Sequence, residues 1–141
     1  MWLWKDNILE VGTSNIFIYW KNSDGELEVV TPDLTNLILP GVTRDSVLAL
    51  LREKKGLKVT ERPLKLPELQ AALRERRLKE IFTCGTAVTV ASVDRIHIKG
   101  SDYEVPINEN LGAGELAYDL YKQLFDIYYG KVEHPWSVIV H

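Results

Sequence analysis

The run Asn15-Ile16-Phe17-Ile18-Tyr19-Trp20-Lys21 is followed by Asp24-Gly25 and by the alternating run Glu26-Leu27-Glu28-Val29-Val30-Thr31, and this constrains the chain more than any other feature. β-Branched and aromatic side chains suit a pleated surface, and Asp-Gly tolerates the positive φ of a tight turn. The spacing predicts an antiparallel hairpin. A short strand is expected over residues 8–11. The apolar run 37–39 reads as a strand that ends at Pro40-Gly41. Thr43 is then expected as an N-cap, with Asp45 in the first turn and a helix over 46–55 that stops at Lys54-Lys55-Gly56. Further expectations are a strand over 57–62 and a helix opened by Pro67 with Leu69, Ala72 and Leu73 inward. Strands over 80–82 and 87–93 flank a Cys84-Gly85-Thr86 turn, and a strand over 95–99 ends at Gly100. Residues 112–129 hold the longest helical stripe (Leu116, Leu120, Leu124, Ile127), and a short strand is expected over 136–140. Strands in hairpins with helices between them predict a mixed α and β domain, rich in antiparallel pairing, spanning 1–141 as one unit.

Composition narrows the class. Seventeen Lys and Arg against twenty Asp and Glu give a net charge of −3, and the apolar and charged shares are 45% and 26%. These values exclude collagen, coiled coil and disorder and argue against nucleic acid as the main partner. A single cysteine, Cys84, leaves no internal disulfide and no cysteine-pair zinc site. His97, His134 and His141 are scattered. Apolar runs such as 47–51 are too short to span a bilayer, and residues 1–6 form neither a signal peptide nor a transit peptide. A soluble intracellular domain is the expectation.

Several stretches could carry chemistry. Gly112-Ala113-Gly114-Glu115-Leu116-Ala117 matches the letter of a dinucleotide fingerprint, but a loop (Asn108-Glu109-Asn110) precedes it where a strand belongs, so it reads as a helix start. Arg74, Arg76, Arg77 and Lys79 are interrupted by Glu75 and Glu80 and lack interleaved aromatics; they read as a solvated helix end. In Leu39-Pro40-Gly41-Val42-Thr43-Arg44 a glycine leads directly into a helix, whose outward N–H groups can hold a phosphate or can be an ordinary capped turn. Cys84-Gly85-Thr86-Ala87 is a second small-residue turn with a hydroxyl. Glu10-Val11-Gly12-Thr13 puts a carboxylate at a strand end; it is either partly exposed or paired with a cation, including a ligand cation.

Taken together and in order, Glu10–Thr13, Leu39–Arg44 and Gly85-Thr86-Ala87 resemble the cofactor segments of the branched-chain amino-acid aminotransferases, fold-type IV enzymes that use pyridoxal phosphate. The likeness extends over essentially the whole chain, through residues 15–20, Asp94-Arg95-Ile96, Pro106, Glu109-Asn110, Tyr129-Gly130 and Glu133-His134-Pro135-Trp136. The chain departs from the family pattern at Ser14, at Thr83-Cys84, at Tyr128, and at Val88 and Ala91, where vertebrate members carry a redox cysteine pair.

The resemblance implies a fold: the C-terminal large domain of the fold-type IV aminotransferases, incomplete here, with an antiparallel-rich pseudo-barrel sheet and helices outside. It also implies roles by position. Glu10 would pair with the pyridine nitrogen of pyridoxal 5'-phosphate, the N–H groups of Val42 and Thr43 would hold its phosphate, and Thr86 would add a hydroxyl. Thr13 and Ala87 would face the substrate carboxylate. No lysine in this sequence stands in the family's catalytic-lysine motif, which is expected upstream of Met1 together with a tyrosine, a phosphate-binding arginine and the small N-terminal domain. No catalytic residue is therefore assigned within the chain, which alone is expected to be inactive, and exposed apolar surface is expected around Trp2 and Trp4. The implied reaction moves an amino group between leucine, isoleucine or valine and 2-oxoglutarate. Its partners would be the small-molecule amino acid and 2-oxo acid, with a homodimer or a pairing with a full-length relative, and no nucleic acid or membrane. The compartment would be cytosol or mitochondrion. The competing readings are a non-catalytic module that binds a phosphate ligand or a relative, and a sister activity such as D-amino acid transamination or the aminodeoxychorismate lyase reaction.

Overall fold

The computed structural model describes residues 1–138 and residue 140. Its centre is β4 (Ser14–Lys21), which pairs antiparallel with β5 (Leu27–Thr31) on one side and β8 (Leu78–Cys84) on the other. The Asp24-Gly25 turn forms as its residues dictate: Gly25 takes φ +85°, and the Asn22 side-chain oxygen accepts the N–H groups of Asp24 and Glu26. β6 (Lys58–Glu61) adds parallel to β5, and β9 (Val90–Val93) adds antiparallel to β8. The order β6-β5-β4-β8-β9, with β3 (Glu10–Val11) paired to the start of β4, makes a six-stranded sheet.

Period-two alternation along β4 buries it on both faces. Phe17 faces α1 (Val42–Arg52) and α3 (Glu115–Tyr128), where it joins Val47, Leu51, Leu120 and Leu124. Ile16, Ile18 and Trp20 face the other way, onto α2 (Leu66–Arg74) through Leu66, Leu69 and Ala72. The Phe17 and Phe82 rings stack across β4 and β8, 5.1 Å apart and 3° from parallel. Helices on both faces of a mixed sheet meet the α and β expectation.

Local order departs from expectation where tertiary contacts override it. Residues 8–11 split between β2 (Asn7–Ile8) and β3, because Ile8 pairs with Leu64 of a small separate sheet made of β1 (Leu3–Trp4), β2 and β7 (Leu64–Lys65). Residues 37–39 are not a strand; they form part of a loop. The first helix starts earlier, at Val42, with Gly41 as N-cap and no side-chain cap, so Thr43 lies inside the helix rather than capping it. β10 (Arg95–Ile98) turns through Lys99 and Gly100 into β11 (Ser101–Glu104), a strand without sequence signal. Residues 136–138 form no strand, and Ile139 and His141 lie outside the described residues.

The helix α3 shows how the fold disposes of its glycine-rich start. Its N-cap, Gly114, has no side chain to offer. The carboxylate of Glu80, reaching across from β8, accepts the N–H of Leu116 at 2.9 Å and that of Ala117 at 3.0 Å. A side chain on residue 114 would overlap that carboxylate, which explains the glycine. The anion-binding end of α3 is thus already filled by the protein's own carboxylate.

Candidate functional site

Glu10 opens β3, whose register sets it opposite Asn15. Its Oε1 accepts two hydrogen bonds, from the backbone N–H of Leu39 at 2.9 Å and from Nδ2 of Asn15 at 3.3 Å. Oε2 of Glu10 takes none among the described residues. The same Asn15 amide donates to the carbonyl of Leu39 at 3.0 Å. Asn15 is a polar residue in a run of buried apolar ones, and it ties the strand bearing Glu10 to the loop leading into α1. Glu10 and residues 34–40 line a hollow of about 690 Å³.

The entrance to α1 follows immediately. Gly41 lets the backbone pass close to Asn15, since a Cβ there would lie 2.5 Å from Oδ1 of Asn15. The N–H groups of Val42 and Thr43 precede the first intrahelical bond, from Asp45 N to Gly41 O, and no side chain caps them. Val42 is 84% exposed, so this end of the helix is open to solvent. Thr43 Oγ1 donates to the carbonyl of Gly85 at 3.4 Å, joining the helix entrance to the turn after β8. A Cβ on Gly85 would sit 3.1 Å from Ser14 Oγ and 3.8 Å from the Thr13 carbonyl oxygen.

The structure therefore draws three separate stretches together: Glu10 to Leu39, Thr43 to Gly85, and Gly85 to Thr13. Thr13, Thr86 and Ala87 lie exposed on the turns at this edge of the sheet. The hollow that holds Glu10 does not extend to Val42, Thr43 or Thr86. Trp2 flanks the site: its N–H donates to the Glu10 carbonyl at 2.7 Å and its indole Nε1 to the Gly12 carbonyl at 2.8 Å. Trp2 and Trp4 are 61% and 58% exposed, in line with the apolar surface expected there.

Two contributors were invisible as site residues in the sequence. Asn15 is one; the available signal was an amide at a buried position of an otherwise apolar strand. Arg44 is the other. It stands at i of the i, i+3, i+4, i+7 set completed by Val47, Leu48 and Leu51, so the helical period itself puts a charge on the buried face. Cys84, next to Gly85, is buried, and burial pushes its thiol up to about 12 against the opposing pull of Arg44. Among the described residues no group of three His, Cys, Asp or Glu could hold a metal ion.

A carboxylate with a spare oxygen beside a hollow, set against the uncapped start of a helix reached through a glycine, suits a ligand with one cationic and one anionic end. Residues 3–96 match the family model of the class IV amino-transferases, and the chain belongs to that family. Its curated relatives carry a narrower name. It is 45% identical to the mitochondrial branched-chain-amino-acid aminotransferase of Schizosaccharomyces pombe and 46% identical to the cytosolic one of Mus musculus, in each case over 98% of this chain but only 34% and 36% of the relative. The chain thus spans about a third of the length of these relatives. Among solved structures it resembles the branched-chain amino acid aminotransferase of Escherichia coli, with a TM-score of 0.64 and 27% identity over 94% of this chain and 38% of that one. It also resembles an aminotransferase of Brucella abortus bound to the cofactor PLP, with a TM-score of 0.58 and 28% identity over 84% of this chain and 36% of that one. The mixed α and β fold is therefore part of the fold of these aminotransferases.

Proposed function

We propose that this chain is the coenzyme-gripping part of a branched-chain amino-acid aminotransferase, which moves an amino group between leucine, isoleucine or valine and 2-oxoglutarate. The observation that carries the reading is the convergence of Glu10, the α1 entrance and the Gly85-Thr86 turn at one edge of the sheet. The residues present fit pyridoxal phosphate. Glu10 holds one oxygen on Leu39 and Asn15 and keeps the other for a protonated ring nitrogen. The uncapped N–H groups of Val42 and Thr43 suit a phosphate dianion. When bound, pyridoxal phosphate supplies the electron sink that makes the substrate's α-carbon acidic.

Each side chain then has a task. The Glu10 carboxylate keeps a proton on the ring nitrogen, and Asn15 fixes the carboxylate's rotamer. Val42, Thr43 and the Thr86 hydroxyl orient the phosphate. Thr13 and Ala87 present backbone groups to the substrate carboxylate. The amine that holds the coenzyme and moves the proton comes from a segment other than these 141 residues. The working assembly is a homodimer of the longer polypeptide or a pairing of this chain with a full-length relative. Relatives named for the cytosol and for the mitochondrion support either compartment.

The test is reconstitution. The chain is mixed with a separately produced lysine-bearing remainder of the mouse cytosolic relative and assayed with leucine and 2-oxoglutarate. Turnover that requires both polypeptides, and that falls in Glu10→Gln, is expected. An assembly that binds pyridoxal phosphate yet transfers no amino group from leucine, isoleucine or valine would contradict the reading. Turnover of a D-amino acid or of aminodeoxychorismate instead would favour the sister activities.

A further inference from the structure

Arg44 is the third residue of α1 and is only 3% exposed. Its Nη2 donates to the Pro32 carbonyl at 2.9 Å and to Oε2 of Glu61 at 2.7 Å. Pro32 follows β5 directly, and Glu61 ends the neighbouring strand β6, so one guanidinium nitrogen bolts the first turn of α1 to the ends of two paired strands. Glu61 is itself shared: its Oε1 accepts Nη2 of Arg52 at 2.6 Å. Burial would push the Glu61 carboxyl up, but the hydrogen bonds from Arg44 and Arg52 hold it below the usual carboxylate range.

This arrangement is poor as a device for stability. Nε of Arg44 is buried and has no hydrogen-bond partner, which costs about 1–3 kcal/mol. A cation in the first turn of a helix also opposes the helix dipole, by about 0.3–1 kcal/mol. An apolar residue would pack among Val47, Leu48 and Leu51 without either cost. The second of these costs shrinks when an anion sits at the helix entrance.

We propose that Arg44 is a positioning residue for the coenzyme phosphate: anchored by Pro32 and Glu61, it fixes the first turn of α1 so that the Val42 and Thr43 N–H groups are held ready for the phosphate. The proposal rests on the reading of the chain as a pyridoxal phosphate site. It predicts an effect confined to ligands that carry the phosphate.

The test compares pyridoxal 5'-phosphate with pyridoxal, which shares the ring but lacks the phosphate. Each is titrated into the chain and followed by quenching of tryptophan fluorescence, with the Trp2→Phe variant identifying the part that comes from Trp2 beside the site. Arg44→Met is expected to weaken pyridoxal phosphate binding by about tenfold or more while leaving pyridoxal within about twofold. Glu61→Gln loosens the anchor while keeping the Arg44 side chain and adding net positive charge, so a smaller loss of the same selectivity there separates anchoring from simple charge attraction. It carries the test should Arg44→Met not fold, as judged by circular dichroism. Equal losses for both ligands, or no loss for either, in a folded variant would overturn the proposal. If neither the unaltered chain nor its assembly with the lysine-bearing remainder binds either ligand, the underlying functional reading fails instead.

Discussion

The Glu10 carboxylate and the backbone N–H of Leu39, 29 residues apart in sequence, are joined at 2.9 Å. That bond replaces a ladder bond that residue 39 would have made in a strand, and it leaves Leu37 and Leu39 outward while Ile38 is buried. Asn15 closes the triangle by bonding both partners. Because the three groups act as a unit, Glu10→Ala and Asn15→Ala should each cost about 1–2 kcal/mol in urea unfolding, and the double variant should cost clearly less than their sum. Strict additivity would show that the two side chains are not coupled.

Gly41 is required for space rather than for an unusual backbone angle. Its φ of −69° suits any residue, but a methyl group would meet Oδ1 of Asn15 at 2.5 Å. Gly41→Ala should therefore destabilise by about 1–3 kcal/mol. In an Asn15→Ala background most of that cost should vanish, as thermal melts of the four proteins would reveal.

Glu80 and Gly114 form a second such pair, with a pH signature. Burial pushes the Glu80 carboxyl up, against the opposing N–H groups of Leu116 and Ala117. Folding thus favours its protonated form. Its contribution is complete below the ordinary carboxylate range and declines as pH rises through the raised value. Glu61 and Asp119, both lowered despite burial (Asp119 through the hydrogen bonds of Lys54 and Gln123), behave oppositely and lose their contributions as pH falls. Relative to the unaltered chain, Glu80→Gln should gain stability as pH rises from about 4 to about 8. A relative loss over that range would contradict the account. Gly114→Ala should cost about 1–3 kcal/mol by displacing the carboxylate, and less when Glu80 is also alanine.

Cys84 packs against Phe17 and Phe82 in the core beneath the site. Buried and with its thiol at about 12, it presents almost no thiolate near neutrality. A thiol reagent at pH 8 should label it only as fast as the chain unfolds, with full reaction in denaturant. Rapid labelling of the native chain would mean that β8 opens locally.

What the sequence made legible follows from how local each signal is. The β4–β5 hairpin, α2 and α3 were readable because turn residues and apolar period lie within the segment itself. The run 37–39 misled because its apolar residues suggested a strand while its hydrogen-bond partner, Glu10, lay far upstream. Thr43 is a good capping type, yet the cap falls two residues sooner because Gly41 fits against Asn15. β1, β7 and β11 are short pieces whose pairing depends on neighbours rather than composition. At the site, Glu10, Thr13, Val42, Thr43, Thr86 and Ala87 were named from the order of motifs, whereas Asn15 and Arg44 act through partners brought close only by the fold, such as Leu39 for Asn15 and Glu61 for Arg44, and at the α3 entrance Glu80 does the same with Ala117.

The most direct measurement is a two-dimensional amide NMR titration of the isotope-labelled chain with pyridoxal phosphate. The account predicts saturable shifts concentrated at the amides of Leu39, Val42, Thr43 and Thr86, with the α3 entrance at Leu116 and Ala117 unmoved because Glu80 already fills it. Shifts centred on α3, or no saturable shift at the α1 entrance of the folded chain, would contradict it.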